Sequence, residues 1–492
     1  MTLHNRLKTL LIVATLAFTA CAGRQEEVVI HNEADLSGHK VGTIAGSIYD
    51  IQLSPRKDIA LSLFTTVSDC SEALKSDKVD ALLVDEVIFT QANLHRLGFK
   101  RACQLSQAFP TAYAFKKGEA ELVPAFNSFI AEMKASGELA RMIDYWFNTE
   151  DLSPQDYPQV ETFTEGEPLR YGNCEVMAPL AFFDNGEWHG FEIDLVRRFG
   201  AYLKRPVQIE LIDFPALILG LQMGKVDMIG GSIFVTEERK QQIDFGDPYY
   251  DVHPAVFVRD TDAAGARKSL KVLLVEAFRQ NFLVENRWKM ILDGLLTTLT
   301  ITLWSILLGS LLGILLCAMA RSRKKWMRSF VSLYDGFMFG IPMLVLLLIM
   351  FYVVLAHTGW GAVTIAIIAF ALNFASSAGG VFRTAVESVP GGQTEAGLAL
   401  GFTRLQTFGN IVLPQAVRVG LPLYKGECIS LLKGTSIVGY IAIIDVTRAS
   451  DLLRSRTFDA FLPLLAVTVI YFILAWLIGL VLNLLTLNTR RK

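Results

Sequence analysis

The chain has 492 residues, of which 52% are hydrophobic and only 19% charged, and its formal net charge is −2. That length accommodates several domains. A near-neutral balance with no basic, aromatic-interleaved patch argues against nucleic acid as a partner. The crowding of apolar residues toward the C-terminus sets a soluble region against a membrane region.

Residues 1–21 read as a secretory signal: Arg6 and Lys8, the apolar run Leu10 to Phe18, then small residues. Phe18-Thr19-Ala20-Cys21 resembles a lipoprotein cleavage box with Phe in the usual Leu place, which makes Cys21 a candidate lipidation site. Cleavage after Ala22 and an uncleaved anchor are the rival readings, and all three export the residues that follow.

Residues 28–150 and 166–260 alternate short apolar strands with amphipathic helices, the pattern of an α/β fold. Lys40–Ile44, Ala81–Val84 and Leu169–Gly172 read as strands. Residues 119–147 have helical periodicity broken at Gly137, and Gly190 opens a further helix. Between the two parts, residues 151–165 fall in a Pro-, Asp- and Glu-rich linker. Cys70 and Cys103 read as plain buried thiols, with a disulfide between them as the alternative, and no CxxC or His-rich spacing points to a metal.

Residues 287–490 are different. Apolar stretches near 291–320, 331–356, 362–382, 420–444 and 461–487 are each long enough to cross a bilayer as helices, about five in all. Arg321-Ser322-Arg323-Lys324-Lys325 and Arg490-Arg491-Lys492 mark the cytoplasmic side. The residues before 287 then lie outside and the loop 383–419 inside, in an inner membrane. Arg448, Arg454 and Arg456 fall on the outer side and fit this rule less well.

That inner loop holds Glu395-Ala396-Gly397-Leu398-Ala399-Leu400-Gly401, then Ile411-Val412-Leu413-Pro414 after nine residues. It resembles the EAA loop of bacterial ABC-importer permeases, on which a separate ATPase docks. The resemblance assigns ATPase coupling to Glu395, Ala396, Gly397, Gly401, Ile411, Leu413 and Pro414. Gly397 departs from the family, which usually has Ala there. Gly294-Leu295-Leu296-Thr297-Thr298-Leu299-Thr300 and Leu431-Leu432-Lys433-Gly434-Thr435-Ser436 are similar to other stretches of the same permeases. Asn373 retains a polar family position on the translocation path.

Gly230-Gly231-Ser232-Ile233-Phe234-Val235-Thr236-Glu237-Glu238-Arg239, continuing to Asp244-Phe245-Gly246-Asp247-Pro248-Tyr249-Tyr250, resembles the lobe 1 signature of the periplasmic solute-binding proteins of polar amino-acid importers. Residues 28–150 resemble that family's lobe 2 and 166–260 its lobe 1, so the order is reversed. The resemblance implies a circularly permuted two-lobed clamp with hinge strands at Thr111–Phe115 and Pro254–Val258. Two fragments of separate binding domains are the alternative.

An amino acid presents a carboxylate and an ammonium, so its site needs a cation facing an anion. Arg239 suits the carboxylate because its planar fork binds bidentately. Asp85 matches the family acid that holds the ammonium, and is also placed to cap a helix. Ser232 adds a hydroxyl, Phe214 an apolar cover, and Met177 stands where the family has a stacking aromatic. Cys174, Phe234 and Ile48 also depart from the family pattern, which makes the pocket more apolar.

No Gly-x-x-x-x-Gly-Lys-[Ser/Thr] loop occurs, so the chain is not expected to be an enzyme, and a separate ATPase must supply the hydrolysis. The expectation is a fused binding protein and permease of an ABC importer for an amino acid or related solute, working as a permease homodimer. The alternative is a ligand-gated channel or sensor. It is disfavoured because all spans follow both lobes and a channel has no use for the coupling loop. An exported enzyme on the same clamp would need a paired-acid motif, which is absent.

Overall fold

The structure, a computed structural model, describes residues 28–89, 91–149, 157–173, 178–184, 187–212, 214–231, 233–260, 275–356 and 358–490. The soluble part is built on two five-stranded sheets. Lys40–Ile44 (β1), Ala60–Phe64 (β2), Ala81–Asp85 (β3), Phe99–Gln104 (β4) and the distant Pro254–Arg259 (β14) form the lobe 2 sheet, in the order β2-β1-β3-β14-β4. Its helices are Ile48–Leu53 (α1), Val67–Lys75 (α2) and Gln91–Leu97 (α3), with Ser47 and Thr66 capping the first two. Buried throughout, β3 reads as a continuous apolar run because helices or sheet neighbours cover both faces.

The lobe 1 sheet has the same plan. Ala114–Lys116 (β6), Leu169–Asn173 (β7), Val207–Leu211 (β10), Met228–Ile229 (β11) and Ile243–Phe245 (β12) run in the order β10-β7-β11-β6-β12. A small hairpin of Phe182–Asp184 (β8) and Glu187–His189 (β9) lies beside it. Leu122–Ala135 (α4), Glu138–Asn148 (α5), Phe191–Leu203 (α6), Phe214–Gln222 (α7) and Glu237–Gln242 (α8) complete the lobe. Gly137, with φ at +71°, makes the break between α4 and α5.

Each sheet therefore takes one strand from the other half of the sequence. The chain crosses twice, through Phe109–Thr111 (β5) and Tyr250–Val252 (β13), which pair antiparallel as a two-stranded hinge. This moves the expected boundaries. The hinge precedes Thr111–Phe115 and Pro254–Val258 by a few residues. The helices α4 and α5, read as lobe 2 material, pack on the lobe 1 core instead: Phe126, Phe129, Met142 and Trp146 bury against Tyr171, Phe182 and Phe199. Truncating one such aromatic costs about 3–5 kcal/mol.

Beyond residue 275 the chain is helical. Three helices, Trp288–Ala320 (α9), Ala362–Glu387 (α12) and Phe461–Arg490 (α17), contain stretches long and apolar enough to span a bilayer. Two more spans result if each bent pair counts as one. The first pair is Lys325–Gly340 (α10) with Met343–Ile349 (α11) and its π continuation to Val354, bent by 104° at Ile341-Pro342. The second bends by 53° between the stretch ending at Ile441 and Val446–Thr457 (α16). It begins with Arg404–Thr407 (α14) and includes Leu413–Gly434 (α15); before it, Gly391–Ala399 (α13) stands alone.

Small residues set the helix packing. Gly309 and Gly313 on α9, a GxxxG pair, lie against Ala371 O and Gly379 N of α12 at ideal-Cβ distances of 2.8 and 3.0 Å, so any side chain there would force the backbones apart. Ser305 Oγ donates to Ile367 O at 3.3 Å. Since 305 meets 367 and 309 meets 371, α9 and α12 run parallel. The basic loop after α9 and the coupling segment after α12 thus share one end of the helical domain.

Candidate functional site

The cleft is built from both lobes. Asp85 ends β3 and is buried, and its side chain does not cap the short turn that follows. It accepts a hydrogen bond from the Tyr49 hydroxyl of α1 instead. Tyr49 also sits edge-on to Phe109 at 6.3 Å and to Phe234 at 6.1 Å. Phe234 belongs to the lobe 1 signature yet packs into the lobe 2 core, so this aromatic trio ties the lobes together.

Arg239 arrives from α8, whose first turn is capped by Thr236. Its guanidinium donates to Phe234 O at 3.1 Å and, across the lobes, to Gly46 O at 3.4 Å. Arg239 and Asp85 therefore flank the same Tyr49–Phe234 pair. At the hinge, Tyr250 stacks on Phe147 with ring centroids 4.9 Å apart. Burial, with the Glu86 and Asp85 carboxylates nearby, pushes its phenol up to about 12.

Behind the cleft lies a buried network that the sequence did not reveal. Glu192 Oε1 accepts from Tyr249 at 2.6 Å and Oε2 from Tyr171 at 3.2 Å, while Tyr113 donates to the Glu192 carbonyl at 2.9 Å. Burial raises the Glu192 carboxyl, and the phenol hydrogen bonds oppose that rise. Tyr49 and Phe109 were equally missed. The one local signal for Tyr49 was its place just after the Gly46-Ser47 turn.

Of the other expected residues, Ser232, Met177, Cys174 and Cys21 lie outside the described residues, and Phe214 begins α7. Asn373 donates to Met338 O at 3.2 Å, joining α12 to α10 just before the Ile341-Pro342 break. Cys70 and Cys103 are free thiols, and burial raises both.

The segment expected to couple to the ATPase is a sharply turned helix pair. Its first helix, α13, ends in a Schellman arrangement: Phe402 N–H donates to Gly397 O at 3.2 Å and Gly401 N–H to Leu398 O at 3.0 Å. Gly401 takes the left-handed φ of +85° that this closure demands. Gly397 is buried, and a Cβ there would come within 2.6 Å of Thr407 Cγ2 and 2.8 Å of Ile411 Cδ1. An Ala there would require Thr407 and Ile411 to shift. Glu395, Ala396 and Leu413 are exposed, Ile411 and Pro414 half-buried. Leu400 at 77% and Leu405 at 81% exposure are apolar surface of the kind a partner covers.

A two-lobed clamp joined to apolar spanning helices, with an exposed helix pair at the far end, defines a membrane transport subunit that carries its own receptor. Residues 169–410 match the family of bacterial extracellular solute-binding proteins, family 3; the match starts at β7 and continues past β14 into the helical region. The chain is 32% identical over 200 residues to the L-cystine transport system permease protein TcyB of Bacillus subtilis (strain 168), covering 39% of this chain and 84% of that protein. It is 28% identical over 193 residues to a putative glutamine transport system permease protein GlnP of Rickettsia typhi (strain ATCC VR-144 / Wilmington), covering 39% of this chain and 88% of that one. A solved amino acid ABC transporter, crystallised with histidines, is 28% identical and aligns with 46% of this chain and all of its own, at a TM-score of 0.38. The chain belongs to the amino-acid ABC transporter permeases, here fused to a solute-binding domain. It is a membrane protein that serves ATP-driven import of amino acids, and a separate ATPase hydrolyses the ATP.

Proposed function

We propose that the clamp is one circularly permuted receptor and that Arg239 holds the solute carboxylate while Asp85 holds its ammonium. The observation that carries this is the convergence of Arg239 from lobe 1 and Asp85 from lobe 2 on one aromatic pair. Both sheets share one strand order, each with its fourth strand donated by the other half, so the halves are interchangeable in position and either can lead the chain. Ser232, Phe214 and Met177 complete the pocket, and Asn373 lines the path through the membrane. Tethering holds the clamp at high effective concentration beside the permease.

The relatives named for L-cystine and glutamine support an amino acid or related polar solute as cargo. The permease pairs as a homodimer in the inner membrane. The clamp faces the outer side, because it meets the end of the helical domain opposite the basic loop and the coupling segment. Glu395, Ala396, Gly397, Gly401, Ile411, Leu413 and Pro414 receive the ATPase.

The test is uptake of radiolabelled L-cystine, L-glutamine and L-arginine, each alone, into proteoliposomes holding the full chain and its ATPase partner. Uptake is expected to require ATP and to fall to background in the Arg239→Ala variant. ATP-independent flux down a gradient would point to a channel and overturn the reading.

A further inference from the structure

Just before α9 lies a short segment that takes no part in solute binding or ATPase coupling. Residues 275–278 are helical, Arg279–Leu283 continue as a π turn, and Val284–Asn286 close in a 3₁₀ turn. Its large side chains are turned outward: Val275 is 60% exposed, Phe278 52% and Leu283 58%. The Phe278 and Phe282 rings lie against each other with centroids 5.2 Å apart.

Hydrogen bonds fix the level of this segment relative to the spanning helices. Arg287, the residue before α9, donates to Gln280 O at 2.6 Å. Asn281, the one fully buried polar group, donates to Asp459 Oδ2 at 2.6 Å and accepts from Thr457 Oγ1 at 2.8 Å. Asp459 in turn accepts from Phe461 N–H, the first residue of α17, at 3.0 Å. The segment therefore lies level with the first residues of two spanning helices, α9 and α17.

That level is also where the clamp meets the helical domain. Val446 N–H of α16 donates to Thr298 Oγ1 near the start of α9 at 3.2 Å, and a Cβ on Gly294 would lie 2.7 Å from Asp445 O. At the other end of α16, Arg96 donates to Thr457 O at 2.9 Å and Lys75 to Phe458 O at 2.8 Å, while Arg454 pairs with Asp69. These lobe 2 side chains satisfy carbonyls that a helix C-terminus leaves without helical partners. Although lobe 2 reaches within a residue of Asp459, it leaves Phe278 open.

Lipid is the neighbour that the surroundings favour. On α9, the exposed Leu292, Leu296, Leu303, Leu307 and Leu311 form one helical stripe, the face that a spanning helix turns to acyl chains. The apolar side chains of the segment continue this surface past the start of the span. Trp288 between them is 45% exposed, and tryptophan at a span end belongs to the headgroup layer. Arg279 and Lys289 are exposed on either side, where their stems rest on apolar ground and their charges reach lipid phosphates.

We propose that residues 275–286 are an interfacial anchor, with Val275, Phe278, Phe282 and Leu283 set in the headgroup and upper acyl layer of the leaflet on the clamp side. The partner is phospholipid, held by an apolar surface lying in the membrane plane rather than by a span. Through Asn281 and Thr457 the anchor is joined to the end of α16 that lobe 2 caps, so lipid contact steadies the seat of the clamp. The inference rests on the chain being embedded by α9 and α17, and not on what it carries.

The test is photocrosslinking in the full chain, held in nanodiscs of phosphatidylethanolamine and phosphatidylglycerol. The photoreactive residue p-benzoylphenylalanine is placed singly at Phe278, Val275, Leu303 or Ile51, and the irradiated peptides are weighed by mass spectrometry. Leu303 on the α9 stripe is the lipid-facing reference. Ile51 of α1 is 52% exposed, as Phe278 is, but sits on the clamp with no tie to a span. Phospholipid adducts are expected at Phe278, Val275 and Leu303 and none at Ile51. Two positions in the segment are used so that a fold disturbed by one replacement leaves the other readable. Adducts at Leu303 with none at either segment position would overturn the anchor, as would crosslinks from the segment to the clamp or to a second copy in place of lipid. Equal lipid adducts at Ile51 would also overturn it, by showing that exposure alone produces them. No outcome depends on solute or ATP, so a failed uptake assay and a failed anchor are told apart.

Discussion

Gly401→Ala isolates what the coupling turn contributes. Gly401 sits at φ +85°, and a Cβ built on it meets nothing within 4 Å. The substitution therefore adds no clash with a neighbour and acts only through backbone conformation. Holding an L-residue in the left-handed region costs about 1–2 kcal/mol. In the free protein the exposed turn can relax away from this strain, and under the proposed coupling role docking on the ATPase must restore it. Most of the cost then appears in partner affinity, roughly a 5- to 30-fold weakening. Asn tolerates the left-handed region far better than Ala, so Gly401→Asn should retain most of the affinity. Calorimetric titration of the ATPase partner into nanodisc-held variants measures both. An Ala variant that binds like the wild type, or an Asn variant that binds as poorly as Ala, would refute the conformational argument.

Tyr49→Phe removes the hydroxyl that occupies Asp85, so under the proposed role of Asp85 an incoming ammonium displaces one fewer partner. A hydrogen bond to a charged group is worth about 1.5 kcal/mol or more, which predicts roughly tenfold tighter binding of the transported amino acid by equilibrium titration; unchanged or weaker binding contradicts it. Glu192→Gln tests the buried network through pH. Burial raises the Glu192 carboxyl above its ordinary value of 4.5, so the folded protein binds that proton more tightly than the unfolded chain does. The stability this contributes is full below the ordinary value and is lost as pH rises through the raised folded value. The variant should show a shallower fall in melting temperature across that window, and an identical slope would mean the group titrates normally.

Much of the fold was legible because local rules and tertiary demands agree. The run Ala81–Val84 is apolar because the strand it forms is buried throughout, and Gly137 broke the helical pattern where the backbone turns left-handed. The lobe boundaries were not legible. Only strand pairing decides that β6 joins the lobe 1 sheet and β14 the lobe 2 sheet, since either short apolar run would suit either sheet. Arg239 and Asp85 could be picked out by charge and motif. Tyr49 and Phe109 could not, because a lone aromatic in sequence reads as core until the opposite lobe is in place.

The sequence by itself determined the transporter class. The spans, the coupling segment and the missing phosphate loop are local patterns, fixed by residue type and spacing along one stretch of chain. What the tertiary structure alone decided is everything that depends on distant residues meeting. The interleaved sheets, the Asp85–Tyr49 contact and the lobe 2 side chains on the last carbonyls of α16 are of this kind. Arg454 and Arg456 show the difference most plainly. In the sequence they are misplaced positive charge, and in the fold they face Asp69 and the Phe182 ring, because the clamp rests on them.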